Sequence, residues 1–172
     1  EVVPDSEEES LVPAQTVSSR RRLGPASSRR DRNTICAKDG QLTVSDKCKV
    51  LVIGDSNLRN LPPVHPDAEI FAVPGAKFGH VSDILQSSVI PENVSHIIVA
   101  AGMNHRQDWT DVKAICAATQ TIRSAFYTRR IPVNFLGVSF PTVGMQDEQK
   151  QKLCMINDHL REQFGKDYIE AL

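Results

Sequence analysis

The stretch Val50-Leu51-Val52-Ile53-Gly54-Asp55-Ser56-Asn57 constrains the fold of this chain more than any other. Four consecutive apolar, mostly β-branched residues read as a strand buried on both faces, as in a parallel sheet. Gly54 ends the strand, and the turn beyond it presents the Ser56 hydroxyl. In open α/β sheets, ligands bind at the carboxyl ends of the strands. A serine held there by a strand and exposed by a turn is a candidate nucleophile.

Two more apolar runs end in the same way. Glu69-Ile70-Phe71-Ala72-Val73 leads to Pro74-Gly75-Ala76-Lys77-Phe78-Gly79-His80, and His96-Ile97-Ile98-Val99-Ala100-Ala101 leads to Gly102-Met103-Asn104-His105. If the three strands are parallel, their loops share one edge of the sheet. Ser56, the Gly75 amide and the Asn104 side chain then converge, which places a nucleophile beside two donors for a developing oxyanion. Each residue also has a plainer role. Ser56 can cap the next helix, Gly75 can supply a positive φ after Pro74, and Asn104 can form a turn. Asp55 reads as a loop brace rather than a catalytic acid.

The remaining pattern alternates strand and helix. Strands are expected over 48–54, 68–73, 95–101, 131–138 and 167–171. Val81, Ile84, Leu85 and Ser88 share one helical face. Thr110-Asp111 reads as a helix start, followed by the stripe Val112, Ile115, Thr119, Ile122, Phe126. Leu153, Ile156, Leu160 and Phe164 form a third stripe, closed by Gly165. This alternation predicts βαβ units, hence a parallel sheet with helices on both faces. Residues 1–33 are expected to be a disordered acidic and basic tail, and 34–172 the folded domain. The tail carries Glu7-Glu8-Glu9 and the basic residues Arg20, Arg21, Arg22, Arg29, Arg30 and Arg32. These arginines suit RNA or another polyanion, or simply a solvated linker. No aromatic residue interleaves them for base stacking.

The net charge of -1 gives no overall attraction to nucleic acid or membrane, and 40% apolar residues in 172 suit one globular domain. No apolar run is long enough to span a bilayer, and no signal segment opens the chain. The first residue is not methionine, so a fragment or processed piece is expected. Cys36, Cys48, Cys116 and Cys154 lack metal or redox spacing and read as reduced thiols of a cytoplasmic protein.

The three glycine-containing loops resemble the blocks of the SGNH (GDSL-type) hydrolases: Gly54-Asp55-Ser56, then Gly75, then Gly102-Met103-Asn104. The resemblance spans roughly residues 48 to 172. Val52-Ile53-Gly54-Asp55-Ser56-Asn57-Leu58 with Pro74-Gly75-Ala76-Lys77-Phe78 is more closely similar to the esterase-like domain of fish LINE-type retrotransposon proteins. The resemblance implies a flavodoxin-like three-layer α/β/α sandwich and a serine esterase acting on a lipid or acetyl ester. In it Ser56 is the nucleophile, Ser56, Gly75 and Asn104 form the oxyanion hole, and no metal or cofactor is required. The family's Asp-x-x-His block, which supplies the base, occurs nowhere in the chain. Its expected place is after the last strand, so a domain truncated before that block is expected. His105, next to Asn104, is the candidate substitute base. His80 is expected to border the site, and His159, off its helix's apolar stripe, to be solvated. The alternative is a non-catalytic, retroelement-derived module that binds RNA or a partner.

Overall fold

The computed structural model describes residues 33–62, 65–107, 112–140 and 143–171. Six parallel strands form one sheet: β1 (Asn33–Ile35), β2 (Val50–Gly54), β3 (Ala68–Ala72), β4 (His96–Ala100), β5 (Val133–Leu136) and β6 (Tyr168–Ile169), in the order β1-β3-β2-β4-β5-β6. Three helices connect them: α1 (Phe78–Ser87) between β3 and β4, α2 (Val112–Tyr127) between β4 and β5, and α3 (Asp147–Phe164) between β5 and β6. All three crossovers step the same way across the sheet, so right-handed connection puts all three helices on one face.

The core follows from that arrangement. Leu51, Ile53, Ile97, Val99, Val133 and Phe135 point from alternate strand positions into one cluster with Val81, Ile84, Leu85, Ile115, Ile122, Leu153 and Ile156 from the helices. The expected stripes are the buried faces of α2 and α3, except that Val112 at the start of α2 is only half-buried. Gly165 ends α3 at φ 49°, where a glycine cap is favoured. The expected start of α2 at Thr110-Asp111 lies outside the described residues, as does the whole arginine-bearing segment.

The opposite face differs from expectation. Among the described residues it carries a 3-10 helix, Ser56–Asn60, rather than a long helix. Leu58 packs there on Ile70 and Ala72, with Val52 and Ala100 half-buried beside them. β2, expected to be buried on both faces, is thus fully buried on one face only. The edge strand β1 was not expected. Asn33 and Thr34 pair with Ile70 and Phe71, and the Asn33 amide donates to the carbonyls of Leu58, Arg59 and Leu61 at 2.9, 3.1 and 2.7 Å. Three residues with little apolar content carry almost no periodic signal, so β1 depends on tertiary pairing rather than local pattern.

Candidate active site

Register brings the three loops together. Gly54 of the central strand pairs with Ala72 of β3 on one side and Ala100 of β4 on the other. Ser56 lies two residues beyond this row, Gly75 three and Asn104 four. Adjacent strands are about 4.8 Å apart, so the loops leave the sheet side by side.

Each loop is built for its place. Asp55 is buried and caps the 3-10 helix, its carboxylate accepting from the Asn57 N–H at 3.0 Å and from the Met103 N–H. Burial raises its pKa above the usual carboxylate value. The carboxylate therefore ties the first loop to the third, and the neighbouring Ser56 is exposed. Neither the Ser56 hydroxyl nor its N–H is bonded among the described residues. Pro74-Gly75 forms a turn closed by the Ala76 N–H to Val73 carbonyl bond at 3.0 Å, with Gly75 at φ 71°, as a type II turn demands. The Gly75 N–H also has no partner among the described residues. The Asn104 Nδ2 donates to the Ala76 carbonyl at 2.9 Å, which joins the third loop to the second and leaves its other amide hydrogen available.

Beside the serine turn lies a cleft of about 420 Å³. Asp55 and Asn57 border it, Leu58, Leu61, Leu136, Val138 and Ile169 make it apolar, and Glu170 and Ala171, just past β6, complete it. The residues that follow the last described strand therefore stand at the same edge as Ser56. These wall residues, scattered over three segments without a motif, were not legible in the sequence.

The histidines are placed differently from the serine. His105 is 3% exposed, its ring stacked on Phe78 at 5.6 Å, and its Nε2 accepts from the Phe78 N–H at 3.3 Å. Burial, reinforced by Lys77 and other cations, lowers its pKa to about 4. A ring whose acceptor nitrogen is committed and whose basicity is this low is poorly suited to remove the serine proton at neutral pH. His80 accepts from the Lys77 N–H at 3.1 Å through Nδ1, in the first turn of α1. His159 is half-buried, not solvated: its Nδ1 lies 3.4 Å from the Cys116 Sγ, because α2 covers that flank of α3. No histidine is hydrogen-bonded to Ser56 among the described residues.

His105 makes the fold acid-sensitive. It is neutral when folded, whereas the unfolded chain takes up a proton near the ordinary histidine pKa of about 6.5. Its contribution is fully present above that pH and is lost as pH falls toward about 4. The slope is up to roughly 1.4 kcal/mol per pH unit. His80 and His159, also lowered, act in the same sense, and Asp55, raised, in the opposite one. Urea unfolding at pH 7 and pH 4.5 should show the loss, and His105→Gln should flatten the slope. An unchanged slope in the variant would assign the sensitivity elsewhere.

No protein-family model and no curated protein sequence matches the chain. Solved structures do. A Streptococcus pneumonia protein described as a platelet activating factor superposes with TM-score 0.61 at 14% identity, over 72% of this chain and 64% of that one. A Bacteroides fragilis protein described as an acylhydrolase gives 0.57 at 13%, over 70% and 66%. The chain thus spans less than two thirds of the length of either. An acetyl-xylooligosaccharide esterase mutant from Geobacillus Stearmophilus gives 0.52 at 12%, over 75% and 78%. The fold is the α/β sandwich of the SGNH hydrolases, esterases and acylhydrolases among them. No helix among the described residues is long and apolar enough to cross a membrane.

Proposed function

We propose that this chain is an SGNH-type serine ester hydrolase scaffold with Ser56 as its nucleophile. The observation that carries the reading is the row Ala72, Gly54, Ala100, from which all three loops spring, together with the Asn104–Ala76 bond that fastens two of them. In this reading the Ser56 oxygen attacks an acyl carbonyl and forms the new ester bond. The carbonyl oxygen gains negative charge, held by the N–H groups of Ser56 and Gly75 and by the Asn104 side chain. The alcohol leaves, and water later releases the acid. The apolar cleft suits the acyl part of a lipid or acetyl ester.

The unfilled role is the base. A serine hydroxyl is a weak nucleophile until a base takes its proton. With no Asp-x-x-His in the chain and His105 committed elsewhere, turnover is slow and rests on the oxyanion donors. The burial of His105 against Phe78, away from Ser56, favours the second reading, a non-catalytic module that binds RNA or a partner. Its candidate RNA contacts, Arg20 to Arg32, lie outside the described residues. The narrower kinship with retrotransposon esterase-like domains, and a cytoplasmic setting, rest on the sequence alone.

Hydrolysis of p-nitrophenyl acetate tests the esterase reading. Ser56→Ala should remove whatever rate exceeds the solution background, and Asn104→Ala should reduce it by roughly 10²-fold or more. Because Asn104 also holds Ala76, its thermal stability is measured alongside. Full activity in either variant would remove that residue from the mechanism.

A further inference from the structure

α3 carries an asparagine in its interior, where the residue is a poor helix former. Asn157 follows the buried Ile156 and is itself half-buried. Its side chain reaches across to the end of β5. There the pairing between β5 and β6 closes with the Gly137 N–H, which donates to the Ile169 carbonyl at 2.8 Å. At the next residue Asn157 takes over. Its Oδ1 accepts from the Val138 N–H at 2.7 Å, and its Nδ2 donates to the Val138 carbonyl at 3.0 Å. One side chain thus serves both backbone groups of Val138, as a neighbouring strand would. Val138 is 7% exposed, so leaving these groups unpaired would be costly.

Val138 passes the constraint on in two directions. It lines the cleft beside the serine turn. It also presses on Gly102, the residue that opens the third loop. A Cβ on Gly102 would lie 2.4 Å from the Val138 Cγ2 and 3.5 Å from the Phe78 ring. Gly102 stands at φ 133°, so bare backbone is wedged between two buried side chains. The Gly102 carbonyl accepts from the His105 N–H at 3.0 Å, at the start of the 3-10 helix Met103–Gln107 that carries Asn104. A displacement of Val138 is therefore felt two residues before the Asn104 side chain.

We propose that Asn157 is a positioning residue: by pinning Val138 against Gly102 it fixes where Asn104 stands relative to Ser56. The proposal rests on the reading of Ser56 as nucleophile and Asn104 as oxyanion donor. Asn157 touches no reacting atom and acts through the Gly102 loop. Oxyanion stabilisation needs donors within about 2.7–3.1 Å of the developing charge, so a displaced donor is a weakened one.

Asn157→Leu keeps roughly the bulk of the side chain and removes both bonds, and two measurements on it test the proposal. The first is the rate at which Ser56 takes a fluorophosphonate, read by mass spectrometry well below the melting temperature. Asn157→Leu should slow it about tenfold in the otherwise native chain. It should slow it less than about twofold in an Asn104→Ala background, because the donor it positions is already gone. Equal slowing in both backgrounds would overturn the proposal, since a merely structural role does not depend on Asn104. The second is backbone amide exchange. The Met103 and His105 N–H groups should exchange at least about tenfold faster in Asn157→Leu, with the amides of α1 unchanged. Unchanged exchange at Met103 and His105, or acceleration of every amide alike, would also overturn it. If Ser56 takes no adduct at all, the nucleophile reading fails by itself, and the exchange rates still decide whether Asn157 holds the loop.

Discussion

Gly54→Ala should lower the melting temperature by about 10 °C or more, or prevent folding outright. A Cβ at this position would lie 1.9 Å from the Ala100 carbonyl oxygen and 2.9 Å from a Leu58 methyl. The first of these atoms is backbone of the adjacent strand, and it accepts the Asp55 N–H at 3.1 Å. Relief therefore means separating β2 from β4 at the centre of the sheet, or losing that bond. Forced overpacking costs roughly 1–3 kcal/mol and more where backbone must move. For a domain of this size each kcal/mol shifts the melting point by about 3 °C. Gly79→Ala is the matching control. It sits in the exposed first turn of α1, where an added Cβ meets nothing within 4 Å, so alanine should stabilise by up to about 1 kcal/mol. Calorimetry of the two variants reads both. Equal melting points would show that the loop row at Gly54 is not set by close backbone approach.

The succession of strands and helices along the chain, the helical stripes and the three loops were legible because each rests on local pattern. Leu51 and Ile53 are apolar at alternate positions of a buried strand, Ile115 to Phe126 recur at helical spacing, and Pro74-Gly75 dictates its own turn. What was not legible depends on distant parts of the chain. β1 exists because the backbone of β3 has a free edge. Among the described residues the cover of the second sheet face is a 3-10 turn rather than a longer helix, and nothing in the sequence of Ser56–Asn60 distinguishes a wall from a linker. His159 falls off its own helix's stripe, yet α2 half-buries it. Lys38 reaches Gly75 from the turn after β1, a placement set by tertiary pairing rather than by local pattern. His105 stands beside Asn104 in sequence, but the 3-10 helix Met103–Gln107 turns its ring onto Phe78 rather than leaving it available to the serine.

Supplying a base should raise esterase activity more than any change within the chain. Glu170 and Ala171 line the cleft bordered by Asp55 and Asn57, so a loop continuing from β6 has the serine within its reach. An extension carrying Asp-x-x-His would give Ser56 an imidazole to take its proton and a carboxylate to orient that imidazole. General-base catalysis contributes about 10²–10⁴-fold, so p-nitrophenyl acetate hydrolysis should rise by at least 10²-fold over the unextended chain. A folded but inert extended chain would favour the non-catalytic reading. Brisk turnover without the extension would mean that a base already lies within the chain, and His105→Gln would identify or exclude it.

The most direct measurement on that extended chain is mass-spectrometric mapping of a fluorophosphonate adduct, because the reagent reacts where an activated hydroxyl faces an oxyanion site. The expected result is a single adduct on Ser56, lost in Ser56→Ala and slowed in Asn104→Ala. An adduct on Ser82, Ser87 or Ser88 with Ser56 unmodified, or no adduct on a folded chain, would contradict the assignment of Ser56 as the nucleophile.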